Sequence, residues 1–575
     1  MLKTKLLSSL HKVFPDELPC GGLLKASALR NEAFSFQVAY CAEEKESLSG
    51  CTSIPLYVET ECELPISAYR VDYVPLLRHT PPEKAGDTCG GKTALYPDML
   101  LPRGVNSQII KAGYPWEPHY CEVGERNPVN AIGGVWQSLW FTVNDGGKQT
   151  VAAGSHKITV KLFSRISREC LATLDFTLEI IDALLPPQRL MYTNWLHCDC
   201  IADMHNVKLF DDAFFEILQD YAAKGALNGM NTVLLPAFTP PLDTYVRGER
   251  KTAQLVKVKA YKNSGETEYR FDFSLMKRFI DVCTAAGTAY FEHCHLFTQW
   301  GAEYAPKIIA ETENGEEQIF GWETEAMGED YKNFLSQYLI DLQKFLESEN
   351  LTDRVFYHIS DEPPEKSKEH YKAAKEYVEK YIGDTLCTDA ASDYSLYSEG
   401  IIKELIVAIN FINHFIDKCD NMWCYYTGGE TDDNLSSRLI ENPSYRNRVI
   451  GMQMYRYGIK GFLSWGYNYC YGAMSYGVYD CCCTPTMTGD SHVVYPGRDG
   501  TAIQSLRLKV FGEGIYDMRA LQLLESLIGK EKTCTLLDGL FGEKLTFNTR
   551  AVSAEQLLQI RTAINKAIAE NLPLI

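Results

Sequence analysis

No apolar stretch of this 575-residue sequence runs unbroken for the ~18 residues of a membrane-spanning helix, so a transmembrane helix is set aside. The opening residues, MLKTKLLSSLHKVFPDELP, begin with lysines but reach charged residues and prolines before an apolar core forms, and no signal peptide is read there. Positive charge is also short. Lys and Arg number 56 against 75 Asp and Glu, and the net charge of −19 argues against a broad basic surface for nucleic acid or an anionic membrane. A neutral small-molecule ligand is the easier partner. Paired Cys-x-x-Cys spacing is missing too: the runs CDC at Cys198 to Cys200 and CCC at Cys481 to Cys483 do not space ligands as a structural zinc site does, so no metal is expected. Nineteen cysteines without an export signal point instead to free thiols in a reducing cytoplasm. Finally, no candidate strand is followed directly by a well-placed G-x-G-x-x-G or G-x-x-x-x-G-K-[ST] loop, and no cofactor is expected.

Apolar residues, in contrast, are ample for a large core, and aromatics make up 12% of the chain, so disorder is not indicated. Residues 1–185 read as all-β. The runs AFSFQVAY, IPLYVET, YRVDYVPLL, SLWFTV, HKITVKLF and ATLDFTLEII are rich in aromatic and β-branched residues and are parted by turn formers, which favours a β-sandwich ending near Pro186-Pro187. From about Leu190 the pattern changes to strands alternating with amphipathic helices. Eight candidate strands follow: MYTNWLH, NTVLLPAF, TAYFEHCHLF, RVFYHIS, TLCTDA, LIVAIN, MWCYYTG and GFLSWGYNY. Eight such units make residues 186–500 a (β/α)8 TIM barrel, an α/β fold; an open doubly wound sheet is the competitor, disfavoured because none of these strands is followed by a Gly-rich phosphate loop. Residues 501–575 read as a small helical region, with SLRLKVFGEGIYDMRALQLLESLI and SAEQLLQIRTAINKAIAENL as amphipathic helices packed on the barrel's flank.

Chemistry concentrates in RVFYHISDEPPEKSKEHYKAAKEY, Arg354 to Tyr377. Val355 to Ile359 favour a buried strand, Pro363-Pro364 forbids its continuation, and a charged helical segment follows, so Asp361 and Glu362 stand at the strand's C-terminal end, the catalytic end of such a barrel. Neighbouring side chains on a regular strand face opposite ways, and the two acids can share a ligand only where the chain is already bending. The bland alternative makes them N-terminal acids of the next helix. Other predicted strand ends carry Asn194, Trp195, His197 and Asp199; Glu292, His293, His295, Gln299 and Trp300; and Trp465, Tyr467, Asn468 and Tyr469. Aromatic faces for the C–H side of a pyranose, with amides, imidazoles and acids for its hydroxyls, make a sugar-site vocabulary. Asn194, His197, His293, His295, Gln299, Trp300, Trp465, Tyr467 and Asn468 are the candidate substrate-binding residues. Any one of them alone is more often structural.

The segments NTVLLPAFTPPLDT, HLFTQWG, SDEP, RYGIKGFLSWGYN and RLKVFGEGIYDMRAL, with LRNEAFSFQVAY and YPDMLLP nearer the N-terminus, resemble in order the glycoside hydrolase family 123 group. The resemblance implies a β-sandwich, a catalytic barrel and a small C-terminal region. It also implies an exo-acting β-N-acetylgalactosaminidase with Asp361 and Glu362 as the catalytic pair. Ordinary retaining glycosidases hold two carboxylates ~5 to 5.5 Å apart across the scissile bond, which neighbouring residues do not easily do, whereas in substrate-assisted enzymes the 2-acetamido oxygen is the nucleophile. Asp361 then orients the acetamido N–H and stabilises the oxazolinium charge, and Glu362 serves as acid and later as base. By residue type and place, Tyr467 would donate to the acetamido oxygen and Trp465 would floor the ring. Open alternatives are a glycosidase of the same fold acting on another sugar, and a carbohydrate-binding protein without turnover.

Overall fold

The computed structural model of the chain describes residues 1–43, 53–76, 79–80, 87–90, 94–114, 117–429, 435–472, 489–549, 551 and 553–573. The CCC run at 481–483 lies outside them. Alternation of apolar residues builds two facing sheets from the N-terminal third, antiparallel except where Lys25–Leu29 pairs parallel with Cys170–Ile181. Strand Phe34–Ala42 pairs with Gln137–Val143 in a register that sets Phe36 opposite Phe141, whose rings stack with centroids 5.1 Å apart. Leu2–Ser8, Ile66–Pro75 and Leu95–Arg103 belong to the same sheet. The second sheet orders Lys25–Leu29, Cys170–Ile181, Gly154–Ser164, Ser53–Glu61 and Val129–Ile132. Phe36, Val58, Phe141, Ile158 and Phe176 form one buried cluster between the two, as inward-facing residues of packed sheets do. The other face of Phe34–Ala42 is also dry, because Ala39 and Cys41 pack with Leu7, Val13 and Trp136.

The first sheet draws its last two strands from far along the chain. Ala502–Ser505 pairs antiparallel with Leu95–Arg103, and Val494–Pro496 pairs outside it. Ser505 then caps the helix Leu506–Ile528, its side chain accepting from Leu508 N–H at 3.1 Å. An amphipathic helix on a flank was the expectation; this helix is instead buried on nearly every side, since it lies against Leu95–Arg103, the short helices Ser444–Arg448 and Ile450–Arg456, and the helix Ala554–Asn571. Its charged residues are buried in pairs: Arg507 with Asp98 at 2.9 Å, Glu513 and Asp517 with Arg448 at 2.7 Å, and Asp517 with Arg561 at 2.8 Å. Charges so placed need their partners, since stripping one from a buried pair costs about 3–5 kcal/mol. Gly451 and Gly514 let two of these helices touch backbone to backbone.

Eight strands form a single parallel sheet: β1 (Met191–Asn194), β2 (Thr232–Leu235), β3 (Tyr290–His293), β4 (Val355–Tyr357), β5 (Asp389–Ala390), β6 (Leu405–Ala408), β7 (Met422–Tyr425) and β8 (Gly461–Ser464). Their spatial order is β4-β3-β2-β1-β8-β7-β6-β5, each neighbour parallel. The outer strands meet at a parallel bridge between Tyr357 and Cys387, where Thr388 N–H donates to Tyr357 O at 3.0 Å. The helices Asp212–Ala226, Ser274–Ala286, Glu329–Ser348 and Lys368–Ile382 lie in turn between successive strands from β1 to β5. A feature outside that pattern is a four-stranded sheet from the hairpins Lys257–Asn263/Glu266–Asp272 and Ile308–Thr312/Gly315–Phe320, inserted after β2 and β3. Among the described residues no helix is long and apolar enough to cross a membrane.

Candidate active site

At the C-terminal end of β4 the chain leaves the sheet through Ile359 and Ser360 and turns at Glu362, whose φ of +44° lies in the left-handed region that a non-glycine residue rarely enters. This turn decides the site. It lets two consecutive carboxyls, which a regular strand would send to opposite faces, line a single cavity of about 410 Å³. Neighbouring loops brace it: Trp300 N–H, after β3, donates to Asp361 O at 2.7 Å, and Glu362 N–H donates to Ala390 O of β5 at 3.1 Å. Gly301 and Ala302 N–H both donate to the Ser360 hydroxyl, at 3.2 and 3.1 Å.

The walls of the cavity are aromatic. Trp195 stands beyond β1, Tyr425 closes β7, Trp465 follows β8, and Trp300 and Tyr469 complete the set. Each indole or phenol that is hydrogen-bonded is aimed by a partner. Trp195 Nε1–H donates to Glu292 at 2.7 Å, Trp465 Nε1–H to Asp490 at 2.7 Å, Tyr469 O–H to Asp243 O at 3.0 Å, and Tyr425 O–H to Glu362 Oε1 at 2.5 Å. Gln299, also in the lining, is held by its amide N–H on Thr244 O at 2.9 Å.

Four carboxyls face this space: Asp243, Asp361, Glu362 and Asp490. Burial, joined by the negative charges of Glu362 and Asp243, pushes the Asp361 carboxyl well above the usual carboxylate range despite the opposing pull of His358. Burial likewise lifts Asp243 to about 7, against Arg250 and with Asp199, Asp490 and Glu362 adding to the rise. Asp490 is raised by burial too, with the Trp465 hydrogen bond working the other way. A cavity that crowds carboxyls retains protons at neutral pH, and its titration belongs to the group rather than to one residue.

Beneath the floor lies a buried imidazole between two acids. His358 sets Nε2 2.6 Å from Glu292 and Nδ1 3.0 Å from Asp389, while Asp389 also accepts from Ile359 N–H and the Tyr371 hydroxyl. Burial alone would lower its pKa; Glu292 and Asp389 outweigh that and hold it up to about 10, an imidazolium at neutral pH. Glu292 in turn carries the Trp195 bond, so the ion pair fixes the tryptophan. His295, His358 and Asp389 bring donor atoms within 4.8 Å of one another, the spacing a metal would need, but both His358 nitrogens already face carboxylates.

Of the residues expected to meet a ligand, Asp361, Glu362, Gln299, Trp300 and Trp465 line the cavity. The other six do not. Asn194 is buried below it, bonded to the Tyr192 hydroxyl and the Arg438 guanidinium. His197 accepts from Arg250 at Nδ1 and donates from Nε2 to Trp465 O at 2.9 Å, while Asn468 clasps the His197 backbone from both sides, so this pair braces the Trp465 loop from behind. His293 turns outward to the Tyr338 hydroxyl at 2.7 Å. His295 stacks on His358 with ring centroids 4.6 Å apart. Tyr467, expected as a donor to the ligand, sends its hydroxyl away from the cavity to Tyr221 O at 2.6 Å, in the Asp212–Ala226 helix. Sequence reasoning passed over Asp243, Tyr425 and Asp490, and left Trp195 and Tyr469 as strand-end residues only. The signal available for Tyr425 was its place in the MWCYYTG run, a candidate strand; for Asp243 it was the proline-rich loop after β2.

Compared with known proteins, residues 195–524 match the family description "Glycoside hydrolase 123, catalytic domain". Among solved structures, a family 123 glycoside hydrolase from Clostridium perfringens, analysed for the details of glycolipid glycan hydrolysis, superposes over 99% of this chain and 98% of its own, at 14% identity and a TM-score of 0.69, and so shares the fold. A family 39 glycoside hydrolase from Bacteroides cellulosilyticus WH2 is far more remote, at 9% identity over 90% of this chain and 82% of that one, with a TM-score of 0.31. A search of curated sequences found no match. With the family description covering more than half of the chain and the fold shared along its whole length, the protein belongs to glycoside hydrolase family 123.

Proposed function

We propose that this glycosidase is an exo-acting, retaining β-N-acetylgalactosaminidase in which the substrate's own 2-acetamido group attacks the anomeric carbon. The parallel sheet is read as a (β/α)8 barrel over about residues 186–500, set between a β-sandwich (1–185) and C-terminal helices (501–575). The observation that carries the mechanism is the left-handed turn at Glu362, by which consecutive acids share one cavity. Side-by-side acids suit a reaction that needs one proton donor and one orienting anion rather than two groups on opposite sides of the sugar. Burial and the charges of Glu362 and Asp243 favour the protonated form of Asp361. When the acetamido N–H donates to Asp361, its carboxylate form is favoured and the proton is left to Glu362, which passes it to the departing glycosidic oxygen. The acetamido oxygen closes on the anomeric carbon, the oxazolinium charge faces Asp361, and Glu362, now a carboxylate, takes a proton from the water that reopens the ring. The donor role expected of Tyr467 is assigned to Tyr425, whose single O–H must turn from Glu362 to the acetamido oxygen when the ligand binds, and Trp465 with Trp300 is assigned to the apolar face of the pyranose. Fourteen free thiols among the described cysteines suit a reducing compartment, and the cytoplasm is proposed as the location.

The test is hydrolysis of nitrophenyl β-N-acetylgalactosaminide together with inhibition by a thiazoline that mimics the cyclic intermediate. Equal rates on glycosides lacking the acetamido group would move the nucleophile to Asp243 or Asp490, the other carboxyls of the cavity.

The pH profile tests the electrostatics. Asp243 raises Asp361, so Asp243→Asn removes a negative charge that helps Asp361 keep its proton. The alkaline limb of kcat/KM should therefore move to lower pH, by up to about one unit, with the acid limb little affected. A shift to higher pH would contradict this reading.

A further inference from the structure

A separate cavity opens toward the other end of the parallel sheet. Its volume is about 940 Å³, more than twice that of the cavity holding Asp361 and Glu362, and the two share no lining residue. Lys224, in its wall, belongs to the last turn of the helix Asp212–Ala226, which leads into the N-terminal end of β2, whereas the acids follow the C-terminal end of β4. Most of the remaining wall comes from Ile66–Pro75 and Leu95–Arg103 of the first sheet, from residues 123–127 and from the turn at 497–501 ahead of Ala502–Ser505.

Cations prevail there, in a chain whose net charge is −19. Arg70, Arg126, Lys224 and Arg498 line the cavity with side chains that keep exposed surface, and Asp72 and Asp499 are the acids that do so. Arg103 and Glu125 are also in the lining but answer each other behind the wall, where the Arg103 guanidinium stands 2.9 Å from Glu122 and 3.7 Å from Glu125. The pairs made by the exposed cations are of a kind that a ligand can replace. Arg126 meets Asp499 at 2.6 Å with both side chains exposed, Lys224 meets Asp220 at 3.5 Å, and such surface pairs contribute little. Arg498 makes no ion pair among the described residues. Arg70 Nε and Arg103 Nη1 are buried donors that have no acceptor there either, and buried polar groups seldom go unanswered.

We infer that this cavity binds an acidic sugar, one that carries phosphate, sulfate or carboxylate. Planar guanidinium groups match such oxyanions two bonds at a time, and a lysine adds a point charge. The space exceeds what a bare oxyanion fills and falls within the range of small-molecule sites. Its lining has no aromatic side chain, so a neutral sugar finds no plate to stack on and affinity has to come from charge. Ser107, Asn127 and Thr501 add neutral hydrogen-bonding groups beside the cations. Binding there does not depend on the reaction proposed above.

The experiment is calorimetric titration of the full chain with galactose 6-phosphate, galactose 6-sulfate, glucuronate, galactose and inorganic sulfate. At least one acidic sugar should bind saturably, about tenfold or more tightly than galactose or inorganic sulfate, and the tightest of the three identifies the oxyanion. Added salt should weaken that binding. Lys224→Gln combined with Arg498→Gln should weaken it by about tenfold or more. Lys25→Gln combined with Lys566→Gln, the same loss of charge at exposed lysines elsewhere, should leave it unchanged. Thermal melting checks that both double variants fold. No saturable binding by any of the acidic sugars overturns the site, and so does unchanged binding in the Lys224 and Arg498 variant. Equal weakening in both double variants reduces the effect to net charge and also overturns it. Inorganic sulfate or galactose binding as tightly as the acidic sugars overturns the assignment of the ligand.

Discussion

Glu362→Gln should lower kcat on a β-N-acetylgalactosaminyl disaccharide by about 10²- to 10⁴-fold, the usual contribution of a positioned acid, with KM changed little because the amide keeps the carboxyl's shape. The loss should depend on the leaving group. A dinitrophenolate departs without a proton, so the first step on that substrate should be nearly spared in the Gln variant, whereas a sugar alcohol cannot leave unprotonated. Asp361→Asn should behave differently. Its task is to orient the acetamido group and to face the oxazolinium charge, which every aglycone requires, so a loss of about 10²- to 10³-fold should persist on activated and natural substrates alike. Steady-state kinetics on the two substrates with the two variants separates the roles. Equal dependence on the leaving group in both variants would remove the division of labour between the acids.

The second large effect is on stability. A methyl group added at Gly451 would sit 1.8 Å from the Gly514 carbonyl oxygen, and both positions are helical backbone, so no side chain can swing aside. Gly451→Ala should therefore cost at least the ~3 kcal/mol at the upper end of ordinary overpacking, because the helices must separate and the buried Arg448 pairs with Glu513 and Asp517 lie one turn away. Gly539→Ala is the control. It too is helical, nothing lies near its added methyl, and it should be neutral or stabilise by up to about 1 kcal/mol. Urea denaturation of the two variants, read as a shift in midpoint, checks the contrast.

Most of the eight strands were legible because they are short apolar, β-branched or aromatic runs, a composition that a strand buried on both faces demands, whereas β5 is only Asp389–Ala390. The inserted four-stranded sheet was not, since its strands are largely exposed and carry Lys, Glu and Arg where an apolar period would otherwise show. Its cues were two turns, Asn263-Ser264-Gly265 in the first hairpin and Asn314-Gly315 in the second. At the site, the acids could be found from a strand halted by two prolines. Their neighbours could not be sorted the same way. Past the last strand residue the period of two is lost, and side-chain direction is set by the turn that follows, so Trp465 faces the cavity while Tyr467, two residues on, faces the Asp212–Ala226 helix. Asp243 and Asp490 reach the cavity from loops whose course no local pattern specifies.

The strands supplied by residues 494–505 also bear on how the chain is made. Until the ribosome has synthesised them, Leu95–Arg103 stands as an open edge with unsatisfied N–H and C=O groups, so the amino-terminal sheet waits through some four hundred residues of elongation before it is complete. Nascent chains stalled before residue 494 should accordingly be protease-sensitive at that edge and prone to associate, and an amino-terminal fragment cut at the Pro186-Pro187 pair should inherit the same defect permanently.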